Sequence, residues 1–134
     1  IQTISTDHCS FTLAQKDIGR EDFTKIPGGL PGVETRGEVV YTRGVAAGRM
    51  TVAGMCRALC ENPAKLYGLY PRKGVIAAGS ARDMVTKAGY TPFEGLRTEG
   101  GIAKVYLRGS LMVEDGRIVG GPEGQYLRRG LCTL

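Results

Sequence analysis

A stretch of chain between residues 10 and 32 limits the possible folds more than any other feature, because turn-forming residues interrupt it repeatedly. Six of them are glycine or proline: Gly19, Pro27, Gly28, Gly29, Pro31 and Gly32. Such residues break helices and strands, so the stretch predicts a long loop with one short helix at residues 13–18. Loops of this length are uncommon inside a compact domain and are usually functional. We therefore expect the loop at residues 10–32 to have a functional role.

The residues before this loop predict a short strand that ends at an acidic side chain. Four of the first six residues are isoleucine or threonine, whose β-branched side chains favour extended structure. Asp7 follows, and then His8, the one histidine of the chain. Barrel enzymes place catalytic groups at the C-terminal ends of strands, and a carboxylate there can bind a metal or accept a proton. Without further context, a turn or capping aspartate explains the same two residues, and both interpretations stay open at this point.

The residue types in the chain do not by themselves complete a metal or thiol site. A catalytic zinc normally takes three protein ligands, whereas the remaining acidic residues are scattered over predicted loops and helix starts. Cys9 and His8 are adjacent on an extended segment and are expected to point to opposite sides, which argues against a thiol–imidazole pair. No two of the four cysteines form a Cys-x-x-Cys motif, so we expect buried, reduced thiols and a cytoplasmic protein.

The middle of the chain predicts two or three helices. Residues 33–47 suit a helix that ends at Gly48, and Thr51 is a suitable N-cap for the next helix. The apolar face of that second helix is formed by Val52, Met55, Cys56 and Leu59. Asn62 is expected to cap a third, short helix, with Pro63 as its first residue and Gly68 as its stop.

The last part of the chain predicts a small antiparallel sheet. A strand is expected at Val75-Ile76 and a turn at residues 78–80, followed by strands at 102–108, 111–113 and 117–119. Asp115-Gly116 is a strong two-residue hairpin signal, and the Gly-rich tail from residue 120 is expected at the surface. No apolar run is long enough for a membrane span. The net charge of +5 comes from dispersed Lys and Arg residues, so we expect no nucleic-acid partner.

Five segments of the sequence resemble dihydropyrimidinases and hydantoinases, a family of cyclic amidohydrolases. Ser5-Thr6-Asp7-His8-Cys9 resembles the last barrel strand of that family, and residues 22–36 are similar to its substrate loop and the following helix. The other three segments are Asn62–Gly74, Tyr90-Thr91-Pro92-Phe93-Glu94-Gly95 and Val113-Glu114-Asp115-Gly116. These segments follow the family order over nearly the whole chain.

The resemblance implies an α/β fold that is part of a larger enzyme. Family members combine a TIM-type barrel with a small β-sandwich, and a barrel of this type needs at least about 200 residues. We therefore expect a C-terminal fragment, and its first residues, which lack a methionine, have the pattern of a strand entered part-way. Residues 1–74 would hold the last barrel strand, the substrate loop and helices, and residues 75–134 the C-terminal share of the sandwich and the tail.

The resemblance also assigns roles to four residues. Asp7 would be a metal ligand and the catalytic residue that takes a proton from a metal-bridging hydroxide and passes it to the leaving nitrogen. His8 would be its neighbour, one step removed from the metal. Gly28 and Gly29 would contact the substrate ring through the main chain. The cofactor would be a binuclear zinc centre, most of whose ligands lie outside this chain.

Three departures from the family pattern are present. Ser10 stands where proline is usual, and Gly28 stands where asparagine is common. The segment between Ser80 and Tyr90 is much shorter than in relatives, although Ala81-Arg82-Asp83 resembles the Asp-Ala-Asp of the family. The shortening is either a true deletion, which would remove a sandwich strand and leave unpaired edges, or a stretch omitted from the sequence.

Three functions compete at this stage. The first is a part of an enzyme that opens dihydropyrimidine or hydantoin rings to N-carbamoyl amino acids, working as a homo-oligomer and with the remainder of its own enzyme. The second is a non-catalytic scaffold like the collapsin response mediator proteins, which lack the aspartate that this chain has at Asp7. The third is an unrelated small binding domain, which the isolated strand at residues 1–5 argues against.

Overall fold

The structure, a computed structural model, describes residues 1–70, 73 and 89–132. The predicted strand at Val75-Ile76, the predicted turn at residues 78–80 and most of the shortened segment lie outside the described residues. In the described part, helices come first and a small sheet follows, as predicted. The helices are α1 (Leu13–Asp17), α2 (Arg36–Val40), α3 (Val52–Cys56) and α4 (Asn62–Leu66), and the strands are β1 (Lys104–Leu107), β2 (Ser110–Glu114) and β3 (Arg117–Ile118).

Helix α1 interrupts the long loop where the sequence predicts it. The Thr12 side chain accepts a hydrogen bond from the Gln15 amide, and the Gln15 side chain accepts one from the Thr12 amide, so the two residues form a capping box. This reciprocal cap satisfies two amides that the first turn of the helix leaves without partners. A helix of five residues depends on such local bonds, because it is too short to be stable by propensity alone.

Two π-helical turns extend the helices that the sequence predicts. Tyr41–Ala46 continues α2, and Arg57–Glu61 joins α3 to α4. Gly48 follows the first of these helical stretches with φ = 69°, a left-handed conformation that glycine adopts without steric cost. Thr51 caps α3 through a 3.0 Å hydrogen bond from the Gly54 amide, which confirms the predicted N-cap.

The prediction that Asn62 caps a third helix, with Pro63 as its first residue, is wrong, because Asn62 is itself the first residue of α4. Asn62 has helical backbone angles, and the cap position before α4 belongs to Glu61, with no side-chain cap bond. Pro63 lacks an amide proton and crowds the carbonyl four residues earlier, and the wide π-helical turn before it accommodates that defect without ending the helix. The Asn62 side chain instead donates to the main-chain oxygen of Gln2 at 2.7 Å.

The predicted strand at the N-terminus is also absent from the part of the chain that the structure describes. Residues 1–7 form no helix or strand, and the Ile4 amide donates to the carbonyl of Ala58 at 3.0 Å. A strand requires a second strand to accept its ladder of hydrogen bonds. The segment therefore lies against the α3–α4 helical stretch, and a barrel strand next to it would have to come from elsewhere.

The three strands form an antiparallel meander in the order β1-β2-β3. Asp115 and Gly116 both have positive φ, 46° and 77°, as a two-residue type I′ turn requires, so the predicted hairpin is confirmed. A second turn of the same kind is formed by Arg108 and Gly109. Strand β1 therefore ends at Leu107, one residue before the predicted end at residue 108. The tail is largely exposed, as predicted, and the Gly130 amide donates to the carbonyl of Gly68 at 2.7 Å.

The described residues bury few hydrophobic side chains. Among the described residues, the buried hydrophobic side chains are those of Ala58, Ala64 and Pro31, and Pro31 is fully buried. Large apolar side chains such as Ile18 and Phe23 are 67% and 81% exposed. Large exposed apolar patches are typical of surfaces that bind another protein or a ligand, or that aggregate. None of the described helices combines the length and hydrophobicity that a membrane span requires.

We predict that the purified 134-residue chain self-associates or unfolds rather than remaining a compact monomer. The physical reason is the large exposed apolar surface, since each buried Å² of such surface is worth roughly 25 cal/mol. Sedimentation velocity over a range of concentrations is the measurement. A compact, concentration-independent monomer would contradict the prediction.

Candidate functional site

The second half of the long loop folds back onto the segment that carries the predicted site. We name residues 27–33 the docked loop. The Cys9 amide donates to the carbonyl of Leu30 at 3.2 Å, and His8 and Leu30 form an isolated parallel β-bridge. The docked loop therefore lies directly against the residues that follow Asp7.

His8 holds the far end of the docked loop. Its Nδ1 atom accepts hydrogen bonds from the amides of Gly32 and Val33, at 3.1 and 3.2 Å. A ring nitrogen accepts amide protons through its lone pair, so both amides share the Nδ1 lone pair. The Nδ1 lone pair is thereby used on the loop, and it does not activate the neighbouring Cys9 thiol.

Asp7 has an unusual backbone conformation. Its φ is 47°, in the left-handed region, which aspartate tolerates better than most residues other than glycine. The residue is exposed, so its carboxylate is accessible to solvent. A strained conformation of this kind costs about 1 kcal/mol or more and is often found where a side chain must be aimed at a ligand.

Gly28 and Gly29 have different steric environments. Gly29 has φ = 135°, and a Cβ atom at this position would lie 2.2 Å from the carbonyl oxygen of Cys9, so only glycine fits. A Cβ atom at Gly28 would have no atom within 4 Å. Position 28 therefore has room for the asparagine that the resemblance leads one to expect, whereas position 29 does not have room for a side chain.

Lys16 contacts the docked loop from the side of α1. Its Nζ atom donates to the carbonyl oxygens of Pro27 and Gly29, at 2.5 and 2.7 Å, and lies 5.4 Å from the centroid of the Phe11 ring. The contact between Lys16 and the loop was not predicted from the sequence. A lysine in a short helix gives no local signal that it bonds to carbonyls 11 and 13 residues later.

The described residues do not form a metal site by themselves. Within the described ranges, no group of three or more His, Cys, Asp or Glu side chains lies close enough together to hold a metal ion. Asp7 is exposed, and its carboxylate is of the type that divalent metals bind. The Nδ1 atom of His8 already accepts two amide hydrogen bonds. A complete three-ligand catalytic site of the zinc type does not form from these residues.

The cysteines are free but less buried than predicted. Cys9 and Cys132 are exposed, and Cys56 and Cys60 are partly buried. Burial raises the pKa of the Cys60 thiol, and the nearby Cys56 raises it further, so Cys60 is a poor nucleophile at neutral pH. The prediction of buried thiols is therefore wrong for Cys9 and Cys132, which are exposed.

Comparison with known proteins finds matches within the amidohydrolase family. The sequence profile of the amidohydrolase family matches residues 1–118. The chain is 38% identical to a D-hydantoinase from Geobacillus stearothermophilus, over 96% of this chain and 31% of that protein. It is 36% identical to a D-phenylhydantoinase from Escherichia coli K12, over 96% of this chain and 32% of that protein.

Solved structures give the same result. The D-hydantoinase (dihydropyrimidinase) from Thermus sp. superposes with a TM-score of 0.86 at 38% identity, over 100% of this chain and 33% of that chain. The L-hydantoinase (dihydropyrimidinase) from Arthrobacter aurescens superposes with a TM-score of 0.78 at 28% identity, over 90% of this chain and 30% of that chain.

The chain spans about a third of the length of the relatives it matches. The alignment with the Geobacillus protein runs over 147 positions, more than the 134 residues of the chain, so that relative has residues without a counterpart here. This agrees with a chain that is shorter than its relatives. The position predicted for the shortening lies mostly outside the described residues.

We predict that Gly29→Ala loosens the docked loop and that Gly28→Ala does not. The added methyl group would clash with the Cys9 carbonyl and would strain a positive φ, at a cost greater than about 1 kcal/mol. Amide hydrogen exchange of Cys9, Gly32 and Val33 should then become roughly tenfold faster in Gly29→Ala, the equivalent of about 1.4 kcal/mol. Equal exchange rates in the two variants would show that the loop is not held against Cys9.

Proposed function

The chain belongs to the amidohydrolase family, and from this premise we propose that it forms part of a metal-dependent hydrolase of cyclic amides. The reaction is the opening of dihydropyrimidine or hydantoin rings to N-carbamoyl amino acids. The observation that carries this proposal is the placement of a glycine loop directly against the Asp7-His8 segment. The names of the most similar relatives, D-hydantoinase and dihydropyrimidinase, support the substrate class.

The remainder of the active site would come from residues outside this chain. The chain covers about a third of each relative, and it provides one acidic ligand where a catalytic zinc needs three. Residues 1–74 would contribute the last barrel strand, the loop and the helices, and residues 75–134 the C-terminal share of a β-sandwich. The exposed apolar side chains of the described residues are the expected contacts with the rest of the barrel.

Asp7 would be both a metal ligand and the residue that moves the proton. A bound divalent metal, zinc in this proposal, would lower the pKa of a water molecule enough for attack on a ring carbonyl. The Asp7 carboxylate would accept the proton that this water loses. When the ring C–N bond breaks, Asp7 would return the proton to the leaving nitrogen, which has taken the bonding electron pair.

The docked loop would bind the substrate ring through its main chain. Cyclic ureides carry alternating N–H and C=O groups, which a peptide backbone can pair with directly. Gly28 contributes no side chain and faces open space, so its peptide groups are accessible. His8 would act indirectly, by holding Gly32 and Val33 so that the loop stays beside Asp7.

The Asp7 role is testable in a hybrid enzyme, in which this chain replaces the segment of Geobacillus D-hydantoinase with which it aligns. We predict that Asp7→Ala lowers kcat for hydantoin and dihydrouracil by about 10²–10⁴-fold or more, because it removes the proton carrier and a metal ligand. Asp7→Asn, which keeps the size and removes the charge, should be similarly impaired.

The matched control is Asp17→Ala, because Asp17 is an exposed aspartate whose side-chain partner among the described residues is Arg20, at the surface. This variant should keep the activity of the unmodified hybrid. Near-normal turnover by Asp7→Ala in an active hybrid would remove Asp7 from the mechanism. A folded, metal-loaded hybrid without any turnover would favour a scaffold function instead.

A further inference from the structure

We propose that Lys16 is a positioning residue, which fixes the docked loop in the conformation that presents the Gly28 peptide to the substrate. The proposal rests on the function proposed above, because the loop meets a ring substrate only if the chain is part of a ring-opening hydrolase. It concerns a residue on a separate helix, α1, which contacts neither Asp7 nor His8 through any described hydrogen bond.

The two hydrogen bonds of Lys16 bracket one residue. Nζ donates to the carbonyl oxygens of Pro27 and Gly29, the residues on either side of Gly28. Fixing both carbonyls sets the orientation of the peptide planes that flank position 28. Among the described residues, the amide and carbonyl of Gly28 itself have no hydrogen-bond partner, so they remain available to a ligand.

The charge of Lys16 is used differently from that of neighbouring cations. Arg20 pairs with Asp17 at 3.0 Å and Lys25 pairs with Asp22 at 3.4 Å, in both cases at the surface. The described partners of the Lys16 ammonium are two carbonyl oxygens and the face of the Phe11 ring. An ammonium without a carboxylate partner forms strong, charge-assisted bonds to carbonyls, and here both of those bonds hold the loop.

The loop needs such an external support because of its own composition. Pro27 has no amide proton to donate, and Gly28 and Gly29 lose more conformational freedom on ordering than any other residue type. His8 anchors the loop at residues 32 and 33, whereas Lys16 anchors it at residues 27 and 29. Without Lys16, the glycine pair would be held from one end only.

The first test measures loop order in the hybrid enzyme and does not depend on activity. Lys16→Met keeps the length of the side chain and removes its donors, and Lys25→Met makes the same change at an exposed lysine on the preceding turn. We expect amide exchange at Gly28, Gly29 and Leu30 to become about tenfold faster in Lys16→Met, and to stay unchanged in Lys25→Met. Equal exchange in the two variants would overturn the proposal.

The second test measures ring opening by the same variants. Lys16→Met should raise KM about tenfold, which corresponds to about 1.4 kcal/mol, with a smaller effect on kcat. A merely structural loss would reduce the amount of active enzyme and so lower the apparent kcat at unchanged KM. Lys16→Arg, whose guanidinium can donate to two carbonyls, should restore most of the lost affinity.

The two tests separate the possible failures. An unchanged KM in Lys16→Met, in a hybrid that opens rings, would show that Lys16 does not position the substrate loop. A hybrid without ring opening, but with faster exchange in Lys16→Met, would overturn the proposed function and leave the support of the loop by Lys16 established.

Discussion

The candidate site depends on the docking of one loop onto the segment that follows Asp7. The His8 imidazole accepts two amide protons from the loop, and the Cys9 amide donates to its carbonyl at Leu30. All three bonds join residues more than 20 positions apart in sequence, so they close a long loop at an entropic cost that grows only slowly with length. The absence of a side chain at Gly29 permits this approach, because any Cβ atom there would meet the Cys9 carbonyl.

The described residues bring a glycine loop next to the segment that carries Asp7, but they do not form a complete metal site. A catalytic zinc normally takes three protein ligands, and within the described ranges no group of three or more His, Cys, Asp or Glu side chains lies close enough together to hold a metal ion. Several large apolar side chains of the described residues are exposed, and the chain spans about a third of the length of the Geobacillus relative. In the function proposed above, further residues of a longer protein would cover these side chains.

Local signals predicted much of the fold, and long-range bonds account for what they missed. Thr51 and the Asp115-Gly116 turn were predictable because a cap and a type I′ turn involve residues a few positions apart. The continuous helix through Asn62 was not predictable. An Asn-Pro pair usually separates two helices, but here the preceding π-helical turn continues into α4. The roles given to Asp7 and the glycines came from family resemblance and stay predictions. Lys16 bonds to carbonyls 11 and 13 residues away, which no spacing rule indicates.

The central claim is that this chain supplies one side of a ring-opening site and that other residues supply the rest. The most direct measurement is complementation: the chain is co-expressed with Geobacillus D-hydantoinase from which the aligned segment has been removed, and hydantoin hydrolysis is assayed in the purified mixture. We expect that neither piece is active alone and that the pair opens the ring. Ring opening by the purified chain alone would contradict it. So would an inactive pair under conditions in which the enzyme's own segment restores activity.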